Sequence, residues 1–333
     1  MIATHNTPKQ ISIKQWDELS EKATLHNAFQ TRTYYDFISE QTFMESFVFG
    51  VSEDGVLKGI MVGYILKDGG RIKQYFSRRA IVLGGPLLAD DISQEALNRL
   101  LTTACSNLKG QVIYLEIRNF NDYSCHKSIY RDAGFKYEEH YNFHVDTTSD
   151  ENIEKNMGKS RKRDAKISIR EGAWVEKNPT KDDVWDLYHI LEQLYTTKVK
   201  TPLFPITFFE SLFAHQKNSF LIIKLNNTVI GGAVLMQFRD VTYEMYVCGL
   251  DGSYKSIHPS TLATYSGIHY AFQCGCTRFD FMGAGSPHDG GYGVRDFKAK
   301  FGGQLVEHGR FNKVFNPLLY NIGKFGVWIL KHI

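Results

Sequence analysis

The chain has 333 residues, of which 43% are hydrophobic and 23% charged, and its 39 basic and 36 acidic side chains leave a formal net charge of +3. That composition excludes long disorder and collagen-like repeats, and so even a charge balance excludes a dedicated nucleic-acid coat. A polyanion would have to be met by a local patch. At roughly 150 residues per domain the length predicts two domains. Five cysteines (Cys105, Cys125, Cys248, Cys274 and Cys276) are an odd number without paired metal spacing. They read as reduced thiols, with no metal site expected. The first ten residues are polar and no run reaches the ~18 apolar residues of a membrane span, so a cytoplasmic protein is expected.

In chain order, Phe47 to Val51 and Val56 to Ile65 alternate as a hairpin, and Leu97, Leu100, Leu101, Ala104 and Leu108 share one stripe of a helix. A strand at Val112 to Ile117, a short helix through Ile129 and a strand at Tyr137 to Val145 follow. Thr148 and Glu151 have capping-box spacing and open a helix toward Arg170. A further helix places Val184, Leu187, Tyr188, Leu191, Leu194 and Tyr195 on one packing face. Strands at Phe220 to Leu225, Val229 to Phe238 and Val241 to Cys248 precede a helix at Pro259 to Gln273, a strand near Phe279 to Phe281 and a last strand from Gln304.

These elements repeat. Ser46, Phe47 and Gly59 recur as Ser219, Phe220 and Gly232 at an offset of 173 (219 − 46, 232 − 59). Gly134, Glu139 and His140 recur as Gly302, Glu307 and His308 at an offset of 168 (302 − 134, 307 − 139). Antiparallel strands followed by helix, strand, helix, strand match the mixed α/β sheet of GNAT-type acyltransferases. No GxGxxG follows a strand, which disfavours a dinucleotide fold. The expected architecture is two tandem GNAT-like domains, residues 1–147 and 148–314, with the tail 315–333 joining the first. A coenzyme A loop should precede the Pro259 helix, because glycine lets backbone N–H groups approach a pyrophosphate. Tyr254 to Pro259 contains no glycine, and Gly84-Gly85-Pro86 lacks the basic lead, so no cofactor is expected.

The stretch Phe297-Lys298-Ala299-Lys300-Phe301-Gly302-Gly303 followed by Glu307 is similar to the Phe-Lys-x-x-Phe-Gly segment of the FemABX peptidyltransferases. Phe29-Gln30-Thr31, Gly85-Pro86-Leu87, the Arg163 helix ending at Gly172, and Asp280-Phe281-Met282-Gly283 resemble the family in the same order. The family transfers amino acids from aminoacyl-tRNA to an amine of a UDP-linked or lipid-linked cell-wall precursor. The resemblance therefore implies acyl transfer to an amine, with Lys298 as the functional lysine and Phe297 either positioning substrate or that lysine, or filling the core. The chemistry fits, since a fixed cation steadies the oxyanion formed when nitrogen attacks an ester.

No Ser-His-Asp or Cys-His spacing points to a covalent intermediate. Glu116, Glu244 and Asp280 are candidate proton acceptors, with substrate assistance as the alternative. The helix from Lys155 to Arg170 is strongly basic, and Arg163, Lys166 and Arg170 share a face suited to phosphate. The resemblance places Arg163 at the family's arginine position, and Tyr254 and Lys255 are a second candidate contact. Two departures stand out: Tyr34 to Ile38 lacks the basic side chain several members carry, and Gly172 to Phe220 leaves no room for a coiled-coil arm. The tail, with Leu318, Ile322, Phe325, Trp328 and Lys324, either lies on a membrane surface, placing the protein at the inner face, or folds back on the first domain. Two other readings are weighed. One is an N-acyltransferase using acyl-CoA or another acyl donor in exopolysaccharide or lipid-linked sugar synthesis. The other is a non-catalytic module that binds an envelope polyanion.

Overall fold

The computed structural model describes residues 1–66, 77–199, 202–216, 219–289 and 293–332. Its contacts divide the chain into two units, Met1–His140 with Glu307–Ile333, and Tyr141–Val306.

The first unit opens with β1 (Ile2–His5), α1 (Ile13–Lys22), α2 (Arg32–Ser39), β2 (Met44–Glu53), β3 (Val56–Leu66), β4 (Arg79–Gly84) and β5 (Leu87–Leu88). Then come α3 (Gln94–Leu108), β6 (Tyr114–Asn119), α4 (Lys127–Asp132) and β7 (Lys136–Glu138). The second unit begins with β8 (Tyr141–Asp146), α5 (Asp150–Asn156), α6 (Lys159–Arg170), β9 (Trp174–Glu176), α7 (Lys181–Leu194) and α8 (Ile206–His215). It continues through β10 (Phe220–Leu225), β11 (Thr228–Phe238), β12 (Val241–Gly249), α9 (Pro259–Gln273), β13 (Arg278–Asp280), α10 (Gly293–Ala299) and β14 (Gln304–Glu307). The chain ends in β15 (Arg310–Val314) and α11 (Pro317–His332), which belong to the first unit.

Among the described residues the two sheets have one order. The first runs β1-β2-β3-β4-β6-β15-β7, with β5 paired to β3, and the second, read from its other edge, runs β9-β10-β11-β12-β13-β8-β14. The penultimate strand of each is exchanged, because β8 joins the second sheet and β15 returns to the first. The crossings fall at 139–140 and 308–309, beside the repeated Glu139-His140 and Glu307-His308. The strand expected over Tyr137 to Val145 is therefore two strands in different sheets. A period-2 pattern cannot reveal this, since alternation continues through the crossing.

The other half of the repeat is also structural. Asp54 and Gly55 (φ 49° and 80°) turn β2 into β3, and Asn226 and Asn227 (φ 49° and 63°) turn β10 into β11. Positive φ at both centres matches the twist of a hairpin, and Asn, Asp and Gly tolerate it. Gly134 and Gly302 (φ 80° and 85°) stop α4 and α10. In the first unit the predicted α3 stripe is buried against Val51, Met61, Val82, Leu115 and Ile117. In the second, Leu262, Ala263, Ile268 and Ala271 of α9 pack with Leu221, Ile223, Ala233 and Phe279.

Two local readings change. The expected helix from Thr148 is two helices, capped by Ser149, whose side chain accepts from the Asn152 N–H. Gly158 separates them. Its N–H donates to the Lys300 carbonyl at 2.9 Å, and a Cβ there would sit 2.7 Å from that same oxygen. The strand expected at Val112 to Ile117 begins two residues later, after the α3 end has been closed by the Val112 N–H on the Leu108 carbonyl.

Candidate active site

The parallel pair at the middle of each sheet differs between the copies. β4 and β6 stay paired over six positions, Arg79↔Tyr114 to Gly84↔Asn119. β12 and β13 pair over three, Val241↔Arg278 to Tyr243↔Asp280, while β12 runs on to Gly249. The chain after Asp280 leaves the sheet in an unusual conformation, with φ 57° at Met282, 130° at Gly283 and 80° at Gly285.

Side chains hold this segment. The Asp280 carboxylate accepts from the Met282 N–H and from Asn142 Nδ2, both at 2.7 Å, and faces His144 Nε2 at 3.0 Å. Asn142 Oδ1 accepts from the Gly283 N–H at 2.8 Å. Two cations of α10 bind its carbonyls. Arg295 donates from Nε to Ala284 O at 3.0 Å and from Nη2 to Ser286 O. Lys298 Nζ donates to Phe281 O at 2.9 Å and to Gly283 O at 2.7 Å.

An ammonium has three N–H donors, so these carbonyls occupy two and leave one. Lys298 is half-buried. Burial pulls its pKa below the usual lysine value, while Glu244 and Asp280 act in the opposite sense. Glu244 is the residue of β12 immediately after the parallel pairing ends; it is 4% exposed and accepts from Thr264 Oγ1 at 2.8 Å. Burial raises its pKa to about 7, against the opposing effects of Lys298 and Thr264. A bulge follows it, since Val234 pairs with Tyr246 and Leu235 with Glu244, leaving Met245 without a partner in the register. The segment thus holds a cation aimed along freed backbone and a carboxyl group that titrates near neutrality, a pairing common where proton transfer occurs.

The three candidate acids now separate. Asp280 is fully buried and fixes the loop; burial works to raise its pKa, but His144, Arg278 and Asn142 hold it below the ordinary value. Glu116 lies in the first unit against Arg118 and Arg310 Nη1, the latter at 3.1 Å. Burial alone would raise its pKa, yet the two guanidiniums bring it down to about 2. Of the three, only Glu244 both acts on Lys298 and has a pKa raised to about 7.

Phe297 packs edge-on to Phe301 at 5.1 Å. Its other face is covered by Arg161, whose guanidinium carbon is 4.4 Å from the ring centroid and whose Nη1 donates to Thr261 Oγ1 at 3.1 Å. α6 therefore meets α10 through Arg161. Arg163, Lys166 and Arg170 lie on the exposed face of α6, where Arg163 pairs with Asp164 at 3.0 Å, Lys166 with Glu154 at 3.8 Å and Arg170 with Glu171 at 3.3 Å. Sequence reasoning placed Arg161 in the same basic run without separating it. The signal was there, since Arg161 shares a face with Ala165 and Ser168, the buried positions of that helix. Lys255 is exposed and Tyr254 half-buried, packed against the second core. At the start of α9, the His258 N–H is taken by Ser168 Oγ at 2.9 Å and the Ser260 N–H faces Asp251 at 3.4 Å. A carboxylate at this helix start opposes a second anion there.

The model of the FemAB family matches residues 207–325, the stretch that contains Glu244, Asp280 and Lys298. None of the curated proteins matches the chain. Among solved structures, the crystal structure of FemX superposes with a TM-score of 0.72 at 15% identity, covering 96% of this chain and 99% of that one. The C-terminal domain of a putative lysylphosphatidylglycerol synthetase from Agrobacterium fabrum gives 0.58 at 14% identity, covering 96% and 95%. A tandem GNAT protein from the clavulanic acid biosynthesis pathway gives 0.55 at 9%, covering 95% and 99%. The fold is the tandem GNAT arrangement expected. Lys298 has no lysine counterpart in the first unit. At the repeat offset of 168, Lys298 corresponds to Tyr130, which is fully buried and stacked on Phe311 at 3.8 Å.

Proposed function

We propose that the protein is a FemAB-type aminoacyl transferase that forms an amide on an amine of a peptidoglycan precursor, with aminoacyl-tRNA as donor. The amine nitrogen adds to the ester carbonyl, giving a tetrahedral oxyanion. The ester C–O bond then breaks, the amine gives up one proton and the leaving ribose hydroxyl gains one. Lys298 supplies the charge that steadies the oxyanion, through the N–H not engaged by Phe281 and Gly283. The single observation that carries this reading is the Lys298 ammonium anchored on two backbone carbonyls where β12 and β13 part. Phe297 positions the lysine, and Arg163, Lys166, Arg170, Tyr254 and Lys255 are assigned to substrate phosphates. The reading also puts the reaction at the inner face of the membrane.

The test is mass spectrometry of UDP-linked and lipid-linked precursors incubated with the protein and charged tRNA. Addition of one aminoacyl mass is expected, and Lys298→Met should slow it on the order of 10²-fold, the usual loss for one oxyanion donor. An unchanged melting temperature of Lys298→Met separates loss of the charge from collapse of the loop, and Lys298→Arg, which keeps both charge and donors, should recover part of the rate. No mass change on any precursor, or tight coenzyme A binding by calorimetry, would overturn the assignment.

A further inference from the structure

The face of the first sheet turned away from α3 carries a charged cluster that the proposed chemistry does not use. In β6, Leu115 and Ile117 enter the α3 core, so Tyr114, Glu116 and Arg118 alternate onto the opposite face. β15 brings Asn312 opposite Glu116 and Arg310 opposite Arg118. α11 folds back on this unit here, with Tyr320 edge-on to Tyr114 at 5.2 Å. The side chains beyond Gly326, Trp328 of the expected tail among them, lie outside those described.

Two guanidiniums share one carboxylate oxygen in this cluster. Glu116 Oε1 accepts from Arg118 Nε and from Arg310 Nη1, the latter at 3.1 Å. Arg310 Nη2 donates to His140 Nε2 at 2.9 Å, which accepts only while that nitrogen is unprotonated. On β7, Glu138 stands across from Arg310 and Lys136 across from Asn312, and their charges offset each other. Arg118 and Arg310 against Glu116 therefore leave one positive charge over, and Arg79, opposite Tyr114 on β4, adds to it. Burial works against both guanidiniums. Glu116 nevertheless raises Arg118 above the usual arginine value, whereas burial and the neighbouring Arg118 together bring Arg310 down to about 10, against Glu116 and Glu138. Like charges held side by side with little water are relieved by a second anion.

Unused hydrogen-bonding groups show what that anion would be. Nη1 and Nη2 of Arg118 have no acceptor among the described residues. The side chain is 35% exposed although its surroundings desolvate it, as at the floor of a recess. Arg310 Nε and Asn312 Oδ1 are buried without a partner, and Asn312 is only 5% exposed. Guanidinium N–H groups match the paired oxygens of a carboxylate or a phosphate. Asn312 Oδ1 decides between the two, because it needs a donor. An ionised phosphate has none, while a peptide supplies the N–H next to its terminal carboxylate.

We propose that Arg118, Arg310 and Asn312 form a binding site for the carboxylate end of a peptide, the guanidiniums holding the carboxylate oxygens and Asn312 the adjoining amide N–H. Resting on the transferase reading above, this site holds the peptide of the acceptor precursor.

The experiment is titration calorimetry of the full chain with N-acetyl-alanyl-alanine in its L,L and D,D forms, with the C-terminal amides of both, and with inorganic phosphate. Binding of the free acid in at least one form is expected, with the matching amide at least ~10-fold weaker and phosphate weaker than the acid. Arg118→Gln should weaken the acid at least ~10-fold, and Asn312→Leu should weaken it severalfold without changing the response to phosphate. Arg118→Gln leaves Glu116 paired with Arg310, so its melting temperature should stay near that of the wild type; should it fall, the comparison of acid with amide on the unaltered chain decides alone. No heat with the acid, which would leave the gap to an ordered water, overturns the proposal. So does equal affinity for acid and amide, or an affinity that a folded Arg118→Gln protein retains. Phosphate binding tighter than the acid overturns the peptide assignment. Calorimetry needs no donor, so the Lys298→Met protein should bind the acid as the wild type does, whether or not any precursor gains mass.

Discussion

Glu244 shows how position changes what a residue can do. Its pKa rises from 4.5 to about 7, chiefly through burial. The folded protein therefore holds a proton there that the unfolded chain has released. Between about pH 4.5 and 7 the native state binds more protons, so stability falls as pH rises through that window, and the loss is complete above it. The difference is on the order of 3 kcal/mol from the two pKa values. Glu244→Gln should accordingly stabilise the protein at pH 8 relative to pH 4.5, read as the change in melting-temperature difference between variant and wild type. A difference that does not move with pH would show that this carboxyl group is not the titrating one. Glu116 has the opposite sign, since two guanidiniums lower it to about 2 and its contribution is lost only as pH falls below the ordinary carboxylate range. The types Glu and Lys were visible along the chain. Their ionisation was not, because desolvation depends on which strands and helices close around them.

At the scale of elements, the site depends on how α10 is stopped and seated. Gly302 ends the helix at φ 85°, and a Cβ there would lie 2.4 Å from the carbonyl carbon and oxygen of Asn156. Backbone cannot move aside as a side-chain tip can. Gly302→Ala should therefore cost more than the roughly 1 kcal/mol of left-handed strain alone, and several kcal/mol once the clash with α5 is included. Gly275 is the control, with φ 75° and nothing within 4 Å of the place a Cβ would take, so Gly275→Ala should show only the strain. Chemical denaturation of the two variants measures both, and equal losses would mean that the close approach to Asn156 is without consequence. The Phe-Lys-x-x-Phe-Gly segment thus has a packing logic: Phe301 fills the second core, Gly302 allows the turn, and Lys298 faces the freed carbonyls. Sequence spacing located the segment, while the split of the preceding helix at Gly158 escaped it because the contact responsible is with Lys300, more than a hundred residues away.

For the whole molecule, a net charge of +3 gives little long-range attraction for a polyanion, so the proposed function assigns polyanion binding to a local patch, the exposed side of α6. Arg163 and Lys166 are themselves exposed, and each faces one less exposed carboxylate, Asp164 at 3.0 Å and Glu154 at 3.8 Å. Phosphate can compete for them. Reversing both, as Arg163→Glu with Lys166→Glu, should weaken binding of a tRNA acceptor-stem duplex and lower the slope of log affinity against log salt by about 2, roughly one per lost phosphate contact. Filter binding across a salt series reads this. An unchanged slope would place the phosphate contacts on other side chains and withdraw these assignments.

By itself, the sequence determined what local chemistry can determine. The hairpin over Phe47 to Ile65, the apolar stripe of α3 and the tandem order of elements all follow from backbone sterics and hydrophobic period, which act over a few residues. Only the tertiary structure decided which sheet receives β8 and β15, which basic residue of α6 turns inward, and that Glu244 and Asp280, not Glu116, act on Lys298. Those outcomes depend on contacts between distant segments and on the water they exclude, and neither quantity is written in the order of residues.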